Sequence, residues 1–220
     1  IRHTLLTQGK ILKIAKLGRQ FSGVFTPVIR LDFVKTSKNS DNSITIENDK
    51  NVFQIKQNRF LTNPNYVFDI DVSNEEAKLL QKIYAVSHNT LFKNAQWALG
   101  IVTGDNKKHL FDVPLQDFEP VFRGADIEAF CVNEPKFFLN FQPQNFQQVA
   151  PERFFRVPEK LIYRFISKKL VFAYDDKQRL TLNSANILIP KIPNISLKVA
   201  LAYLNSSVFQ YLFKKHFATH

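Results

Sequence analysis

Alternating apolar and polar positions near the N-terminal end of the chain predict two neighbouring strands. Residues 11–17 form one short β-like stretch, and residues 27–34 form a second in which apolar and charged side chains alternate. Gly18 and Gly23 lie between them, and glycine is typical of turns. Residues 1–35 therefore predict the end of a helix followed by strand, loop and strand.

The C-terminal third of the chain has the clearest pattern. It predicts four strands, over residues 161–166, 170–174, 180–182 and 186–189. It then predicts two helices, over residues 196–204 and 208–217. Residues 205–207 are Asn-Ser-Ser, residue types that commonly cap the N-terminus of a helix. A mixed sheet followed by a helical pair indicates an α+β fold.

The middle of the chain combines a polar segment with a helix. Residues 36–51 are rich in Ser, Asn and Asp, and this composition predicts a flexible polar loop that is dispensable for folding. Ser73 and Glu76 have the spacing of a capping box at a helix N-terminus. The apolar positions that follow recur on one helical face, at Ala77, Leu80, Ile83 and Tyr84. We predict that residues 52–95 form a connector that contains this helix.

Charge is distributed unevenly along the chain. The formal net charge is +11, and residues 151–220 carry twelve Lys and Arg against four Asp and Glu. An A+T-rich genome raises the Lys content of proteins without selection for binding, but such a bias spreads evenly. Residues 101–150 instead have an acidic excess. A clustered basic excess is typical of a surface that binds a polyanion.

Further observations restrict the setting in which the chain works. The longest clean apolar run, residues 199–204, is far shorter than the roughly 20 residues of a membrane span, so no membrane partner is expected. Cys131 is the single cysteine, which leaves no disulfide framework and no cysteine zinc site to build. We expect a reducing, cytoplasmic location. The chain contains no Met and begins with Ile1, so we expect a fragment of a longer protein.

Two short motifs are reminiscent of nucleotide or methyl-transfer chemistry, and each has an ordinary explanation. Residues 63–66, Asn-Pro-Asn-Tyr, are similar to the Asn-Pro-Pro-Tyr box that holds the target adenine in amino-methyltransferases. The second Pro is missing and no cofactor-binding strand precedes the motif, so we expect a loop turn. Residues 100–104 contain two glycines but lack the Lys-Ser/Thr pair of a phosphate loop.

Two acid-x-Lys pairs match half of a Mg²⁺-dependent nuclease site. These are Glu134 with Lys136, and Asp175 with Lys177. Such a site needs a further carboxylate to hold the metal, which either Asp117 or Asp126 would supply for the first pair. Short matches of this kind are common by chance, and the five histidines have no metal-ligand spacing. We therefore predict no catalytic, cofactor-binding or metal-binding residue in this chain.

Basic residues interleaved with aromatic residues remain as candidates for contact with nucleic acid. Strands and their turns can present Lys and Arg to phosphates, and an Arg can pair with two acceptor atoms of guanine. A solvated sheet edge is the alternative explanation for any single residue. The candidate DNA-binding residues are Lys107, Lys108, Arg123, Arg153, Arg156, Lys160, Arg164, Lys168, Lys169, Lys177 and Arg179. Among them, Arg123 and Arg164 are the candidates for reading bases.

A series of motifs follows a familiar order along the chain. Residues 97–106 contain Gly-Ile-Val-Thr-Gly-Asp-Asn, and residues 121–127 contain Phe-Arg-Gly-Ala-Asp-Ile. Further elements lie at residues 158–166, 173–175 and 201–206. Together they resemble the TaqI-like C-terminal specificity domain, the target recognition domain of type IIG restriction–modification enzymes and adenine-N6 DNA methyltransferases. Residues 1–35 also resemble the last strands of the methyltransferase domain that precedes it.

The resemblance implies a division of the chain into four parts. Residues 1–35 are expected to be the C-terminal tail of a Rossmann-like methyltransferase domain, and residues 36–51 the flexible loop. Residues 52–95 form the connector, and residues 96–220 form the DNA target recognition domain. The resemblance also implies double-stranded DNA and the methyltransferase domain of the same chain as partners.

The same resemblance implies how activity is divided in the parent protein. The parent enzyme is expected to be an adenine-specific DNA methyltransferase that uses S-adenosylmethionine, with Mg²⁺ where an endonuclease is fused to it. The fragment itself is expected to be catalytically silent and to hold no cofactor. Two alternatives stay open, namely a Mg²⁺-dependent nuclease domain and a protein-interaction module whose charge reflects genome bias.

Overall fold

The chain folds into two compact units in a computed structural model that describes residues 1–24, 26–36 and 42–216. The first unit comprises Ile1–Ser87 with the last described residues, 215 and 216, and the second comprises His88–Lys214. Both units combine helices with β-sheets, and two of the three sheets contain both parallel and antiparallel pairs. The predicted α+β class with mixed sheets is confirmed. Within the described ranges, no helix is long and apolar enough to cross a bilayer.

The first unit contains a four-stranded sheet, with one helix before its first strand and one helix after its last strand along the chain. Its elements are α1 (Arg2–Thr7), β1 (Gly9–Gly18), β2 (Val28–Lys35), β3 (Ser43–Glu47), β4 (Val52–Lys56) and α2 (Asn74–Ala85). The strand order is β2-β1-β3-β4, with β1 antiparallel to β2 and parallel to β3. The core consists of Leu6, Ile11, Ile14, Ile44, Ile46, Ile55 and Phe60, all buried. The strand pair predicted between residues 11 and 34 is confirmed, with left-handed glycines at Gly18 and Gly23.

Strand β3 is the main departure from the predicted secondary structure of this unit. It lies inside residues 36–51, which the composition predicts to be a flexible loop. Ile44 and Ile46 point to one side of the strand and are fully buried, while β3 pairs with both β1 and β4. The expectation of a dispensable loop is therefore wrong for Ser43–Glu47, because two buried isoleucines anchor it. Residues 37–41 of the same segment lie outside the described residues.

A buried amide joins the start of the first unit to its sheet. Gln57 is almost fully buried, and its Nε2 donates to the carbonyl oxygens of Leu6 and Gly9 at 3.0 and 2.8 Å. Its Oε1 accepts a hydrogen bond from the backbone N–H of Ile11 at 2.9 Å. Gln57 therefore satisfies backbone groups where α1 passes into β1, groups that burial would otherwise leave unpaired.

Helix α2 begins at the predicted capping box. Ser73 Oγ accepts from the backbone N–H of Glu76, and the Glu76 carboxylate accepts from the backbone N–H of Ser73. The pair satisfies two of the N–H groups that a helix start leaves without partners. Leu80 is the buried residue of the helix, whereas Tyr84 is exposed. The predicted apolar face is thus narrower than the sequence pattern indicates.

The second unit contains a four-stranded sheet, a three-stranded sheet and a C-terminal helical pair. Its elements are β5 (Ala95–Ala98), α3 (Asn106–His109), β6 (Glu119–Phe122), β7 (Phe137–Leu139), β8 (Lys160–Arg164), β9 (Phe172–Asp175), β10 (Leu180–Thr181), β11 (Ala185–Pro190), α4 (Leu197–Asn205) and α5 (Ser207–His216). The larger sheet has the order β5-β11-β8-β9 and is antiparallel throughout. The smaller sheet has the order β10-β6-β7.

The larger sheet is covered on both faces, so its strands are almost continuously apolar. In β8, Leu161 joins a core with Ala200, Leu201 and Leu204 of α4. The next residue, Ile162, faces the other way and joins the core that contains β6, β7 and β10. This alternation follows from the two-residue period of a strand. Helix α4 and the smaller sheet therefore lie on opposite faces of the larger one.

The predicted elements of the C-terminal third are confirmed, with small shifts at their ends. Ser196 Oγ caps α4 by accepting from Val199 N, and Ser206 Oγ accepts from Phe209 N at the start of α5. The predicted second helix extends to residue 217, which lies outside the described residues. Strand β8 ends at Arg164, two residues earlier than predicted. Residues 165 and 166 consequently belong to the turn that joins β8 to β9.

Candidate nucleic-acid interface

Strand pairing separates the predicted basic residues between two edges of the larger sheet. Lys160 is paired with Asp175 at one end of the β8–β9 hairpin, and Tyr163 is paired with Phe172 near the other. Because β11 runs antiparallel to β8, Ala185 at its start lies opposite Arg164. Turns at the two ends of the hairpin therefore emerge from opposite edges of the sheet.

We name the two edges by what they contain. The ion-pair edge consists of Glu119, Glu152, Arg156, Lys160, Asp175 and Arg179. The loop edge consists of residues 100–108, 123–131, 165–170 and 183–184, which follow or precede strand ends on the Arg164 side. The predicted DNA-binding residues are divided between these two surfaces.

Lys160 has a structural role at the ion-pair edge. Its side chain is fully buried, and Nζ lies 2.6 Å from Oδ2 of Asp175, whose side chain is also fully buried. Nζ also donates a hydrogen bond to the carbonyl oxygen of Phe155 at 2.7 Å. Burial lowers the pKa of Lys160, and the ion pair with Asp175 opposes that shift. Since the ammonium group has no exposed surface, the prediction that Lys160 contacts DNA is wrong.

The Asp175 carboxylate is fully engaged within the fold. Besides Lys160, it accepts hydrogen bonds from Arg179 Nη1 and from the backbone N–H groups of Lys177 and Arg179, at 2.8 to 3.0 Å. Burial works against its charge, but Lys160 and these donors outweigh burial and hold the pKa of Asp175 below its usual value. Asp175 therefore stabilises the β9–β10 turn and has no oxygen directed outward for Mg²⁺.

Carboxylate and imidazole side chains are dispersed in the described ranges. Within them, no three His, Cys, Asp or Glu side chains are grouped closely enough to hold a metal ion. Asp126, the other carboxylate considered for a nuclease site, is buried and accepts a hydrogen bond from its neighbour Arg123 N at 2.8 Å. Asp126 thus closes the Arg-Gly turn.

Arg156 and Arg179 are also bound to carboxylates at the ion-pair edge. Arg156 donates from both Nη atoms to the two oxygens of Glu119, each at 2.6 Å, and from Nε to Glu152. Glu119 raises the pKa of Arg156, which stays charged. Arg156 is therefore held by Glu119 and Glu152, and Arg179 is held by Asp175. Arg153 and Lys177 are the exposed candidates at this edge.

Ser184 joins three segments of the loop edge. Its Oγ accepts from Gly124 N, and its carbonyl oxygen accepts from Phe165 N, both at 3.0 Å. Gly124 permits this approach, because a Cβ there would lie 2.4 Å from the Ser184 carbonyl oxygen. The predicted Arg-Gly turn is therefore held directly against the β8–β9 hairpin.

The two arginines proposed to read bases are both anchored at this edge. Arg123 lies over the ring of Phe137, 4.6 Å from the centroid, with Nε 3.5 Å from Asp126 Oδ2. Arg164 donates from Nε to the carbonyl oxygen of Ile127 at 2.7 Å. In the part of the chain that is described, the terminal nitrogens of Arg164 form no hydrogen bond or ion pair. The Nε hydrogen bond therefore positions the Arg164 guanidinium group, and its two terminal nitrogens are available to donate to a ligand.

Four lysines at the loop edge are exposed and lack an acidic partner among the described residues. Lys107 and Lys108 lie on the short helix α3, whose first N–H groups bind the Asp105 carboxylate. Lys168 and Lys169 lie in the β8–β9 turn, where Ser167 Oγ accepts from Lys169 N. The loop edge thus presents cationic side chains that the fold does not neutralise.

A polar recess of about 210 Å³ opens at the loop edge, beside the start of α3. It is lined by Val102, Thr103, Gly104, Asn106, Gln147 and Asn183. Its lining supplies amide and hydroxyl groups, which donate to and accept from nucleotide phosphates, sugars and base edges. The fold brings residues 102–104 beside Gln147 and Asn183, which are too distant in the chain for a local motif to reveal.

The motif similar to an adenine box has a local role in the first unit. Asn63 Nδ2 donates to the carbonyl oxygen of Val67 and to Asp69 Oδ1, at 2.8 and 2.9 Å. Asn65 and Tyr66 adopt left-handed backbone conformations in a single 3-10 turn. Because the Asn63 amide already donates within this turn, the motif is a loop turn, as predicted.

The C-terminal part of the chain is similar to known proteins. Residues 119–220 match the family model of the TaqI-like C-terminal specificity domain. This match confirms the resemblance that the motifs predict. The chain is also 27% identical over 118 residues to the Type II methyltransferase M.VspI of Vibrio sp. (strain 343). That alignment covers 54% of the chain and 29% of the relative, so the chain spans less than a third of the relative's length.

The second unit exposes apolar residues at the loop edge that the sequence pattern does not indicate. The sequence pattern predicts that Phe165 and Ile166 belong to a strand, but they are exposed in the β8–β9 turn. Phe130 is likewise exposed in the turn that joins Ile127 to Val132. An available signal was the Ser-Lys-Lys sequence directly after Ile166, since small and charged residues favour a turn over a strand.

Proposed function

We propose that this chain is the DNA recognition module of a DNA methyltransferase from a restriction–modification system, and that the parent enzyme modifies adenine at N6. Support comes from the specificity-domain match over residues 119–220 and from the relative, which is named a Type II methyltransferase. The observation that carries the proposal is the loop edge. It presents Lys107, Lys108, Lys168 and Lys169 without acidic partners among the described residues.

The contrast between the two edges supports this assignment. At the ion-pair edge, Lys160, Arg156 and Arg179 are neutralised by carboxylates within the fold. A cation that is already paired with a carboxylate contributes little binding free energy when it meets a phosphate. An unpaired lysine contributes more, because it forms a new ion pair with the phosphate and releases a counterion from the DNA. The loop edge is therefore the surface on which we place the phosphate backbone.

We assign base reading to Arg164 rather than to Arg123. The Arg164 Nε–Ile127 hydrogen bond fixes the guanidinium plane and leaves two nitrogens for the acceptor atoms of a guanine. Arg123 is held by a ring and a carboxylate. On the cognate sequence alone, Arg164→Ala should weaken binding by about 1–3 kcal/mol. Equal losses on cognate and scrambled duplexes would contradict this assignment.

Catalysis is a task that we assign to the rest of the parent enzyme. The Asn63 amide is engaged in its own turn, so the motif at residues 63–66 does not fit a target adenine. S-adenosylmethionine is then bound by a methyltransferase domain outside this specificity module, and residues 1–35 are its last strands. An endonuclease fused to the parent enzyme would require Mg²⁺. Purified chain incubated with labelled S-adenosylmethionine and DNA should transfer no methyl groups.

Salt-dependent binding tests the proposed interface. The double variant Lys168→Ala/Lys169→Ala removes two loop-edge charges, and Lys177→Ala/Lys191→Ala removes two exposed charges at the other end of the sheet. Each phosphate contact contributes about 0.9 to the slope of log affinity against log salt concentration. The loop-edge variant should reduce the slope by about 2, and the control should leave it unchanged.

The result also separates the proposal from its alternatives. Equal effects of the two double variants would overturn the loop edge as the interface. No salt-dependent binding by the native chain would favour a protein-interaction module. Cleavage of duplex DNA that requires Mg²⁺ would favour a nuclease.

The single cysteine offers a second readout of the same surface. Cys131 is exposed at the loop edge, next to Phe130. Saturating duplex DNA should slow its alkylation by a small thiol reagent several-fold. Unchanged alkylation at saturation would place the DNA on another surface.

A further inference from the structure

The β8–β9 turn exposes two adjacent large apolar side chains. Phe165 is 58% exposed and Ile166 is 87% exposed. Single exposed apolar residues are ordinary on protein surfaces. Two adjacent ones at the tip of a hairpin form a small apolar patch, whose contact with water is unfavourable. Phe130 adds a third at the same edge, with 55% of its surface exposed. We call Phe165 and Ile166 the apolar tip.

The fold holds the apolar tip in place from both sides. Phe165 N donates to Ser184 O, and Arg164 N donates to Val171 O at 3.1 Å. On the other side, Gln210 of α5 donates to and accepts from the backbone of Leu170, at 2.6 and 3.0 Å. The exposed side chains therefore project from a backbone that is fixed at both ends of the turn.

Phe130 is held in an unusual backbone conformation beside this hairpin. Its φ of 75° lies in the left-handed region, which bulky side chains rarely adopt. The backbone N–H of Phe130 donates to Phe172 O at 2.8 Å, which fixes the residue against the start of β9. Strained residues of this kind concentrate at ligand-binding sites. The loop edge therefore directs an aromatic ring outward at a conformational cost that burial does not offset.

The charge around the apolar tip indicates the chemistry of its partner. Residues 164–174 contain Arg164, Lys168 and Lys169 and no acidic residue. A partner for this hairpin must carry negative charges for the lysines. It must also offer Phe165 and Ile166 an apolar environment that can be reached between those charges. Duplex DNA has this combination, since its bases stack between two phosphate backbones, and inserted Phe, Leu or Ile side chains partially unstack a base step and kink the duplex.

We propose that Phe165 and Ile166 form a wedge that enters the base stack of duplex DNA while Lys168 and Lys169 bind the flanking phosphates. This inference rests on the proposed function, because it assumes that the loop edge faces DNA. It goes further in assigning a deforming role to the apolar tip. A specificity domain with such a wedge opens the duplex locally, which lowers the cost of rotating a neighbouring base out of the stack.

A duplex with a weakened stack provides a test that does not require the recognition sequence. Binding of the chain is measured by fluorescence anisotropy on a 24-base-pair duplex and on the same duplex with one abasic site. Insertion into an intact duplex must first unstack a step, whereas the abasic site removes much of that cost. The native chain should prefer the abasic duplex by about tenfold or more.

Three variants identify the origin of this preference. Phe165→Ser/Ile166→Ser should lose most of the preference and keep its salt dependence. Lys168→Ala/Lys169→Ala should keep the preference and lose about two units of salt slope. Val113→Ser/Leu115→Ser changes two other exposed apolar residues, outside the loop edge, and should behave like the native chain. Urea unfolding followed by Trp97 fluorescence confirms that each variant is folded.

The outcomes distinguish failure of the wedge from failure of the proposed function. If the native chain shows no preference, or if the Phe165→Ser/Ile166→Ser variant keeps it, the wedge is refuted and the tip contacts a protein surface or solvent instead. Lys168→Ala/Lys169→Ala still reports on phosphate binding in that case. If this variant also leaves the salt slope unchanged, the loop edge does not bind DNA and both proposals are refuted.

Discussion

The buried ion pair between Lys160 and Asp175 yields a quantitative prediction. Asp175→Asn preserves the shape of the side chain and an oxygen that can accept from the backbone N–H groups of Lys177 or Arg179. It removes the negative charge beside Lys160, whose Nζ has no exposed surface. Removing one partner of a buried pair leaves an uncompensated buried charge and typically costs about 3–5 kcal/mol. We expect the free energy of unfolding of Asp175→Asn to fall by an amount in this range at neutral pH.

The pH dependence of the variant follows from the lysine. Burial already lowers the pKa of Lys160, and loss of Asp175 removes the interaction that opposes this shift. The unfolded chain then binds more protons than the folded chain between the lowered pKa and the ordinary lysine value. Stability of Asp175→Asn should therefore rise with pH across this window. The stability deficit should be smallest above the unfolded pKa, should deepen as pH falls from the unfolded to the folded pKa, and should then level off.

Urea denaturation followed by Trp97 fluorescence measures this loss directly. Trp97 is the single tryptophan of the chain, and it lies on β5 with its ring 5.7 Å from that of Tyr163 on β8. It therefore reports on the sheet that contains the ion pair. Asp176→Asn is the matched control, because it makes the same charge change at the neighbouring exposed position. We expect the control to lie within about 0.5 kcal/mol of the native chain.

A double variant separates the cost of a lone charge from the cost of lost packing. Lys160→Met/Asp175→Asn removes both charges and keeps similar side-chain volumes, so it should recover at least about 2 kcal/mol of the loss. A loss below about 1 kcal/mol for Asp175→Asn would refute the reasoning, as would a double variant less stable than the single one. Either result would mean that water reaches Nζ.

Three further substitutions test other parts of the fold. Gly100→Ala places a Cβ 2.3 Å from the Leu182 carbonyl oxygen and should destabilise the second unit by about 1–3 kcal/mol or more, as measured by Trp97 fluorescence in urea. Gln57→Ala leaves three buried backbone groups without a partner and should cost at least about 3 kcal/mol, with loss of hydrogen-exchange protection at the Ile11 amide. Ile46→Ala should cost about 2–5 kcal/mol by circular dichroism in urea, which a flexible loop would not show.

Local signals predicted the parts of the fold that local interactions form. The capping box at Ser73 and the serine caps of the two C-terminal helices depend on residues three positions apart. Their hydrogen bonds are encoded in short spacings, so the sequence pattern was sufficient. The resemblance to a specificity domain likewise depended on short motifs in a fixed order.

Strand β3 was missed because composition was given more weight than periodicity. Ser43–Glu47 reads Ser-Ile-Thr-Ile-Glu, which alternates in the way that a half-buried strand requires. The polar residues on both sides of this segment suggested a loop. Its long-range partners supplied the missing information, since Ile44 and Ile46 pack into a core with Leu6 and Phe60.

Lys160 was misassigned because its partner is fifteen residues away in sequence. A count of basic residues treats a lysine in a buried ion pair and a lysine in a turn as equal. Only the antiparallel register places Lys160 beside Asp175 and Arg164 at the opposite edge. Exposure of charge is thus a tertiary property, and charge counts alone could not divide the candidates between the two edges.

This division sets the salt dependence that we expect for the proposed binding of the chain to DNA. Residues 151–220 have an excess of eight positive charges, yet Arg156, Lys160 and Arg179 are paired inside the fold. The four unpaired lysines of the loop edge predict a slope of log affinity against log salt near −4, and anchored arginines that also reach phosphates would extend it to about −5. A slope near −7 or steeper would require the ion-pair edge to bind DNA as well. Its arginines would then have to exchange carboxylates for phosphates, and the assignment of that edge to stability would be wrong.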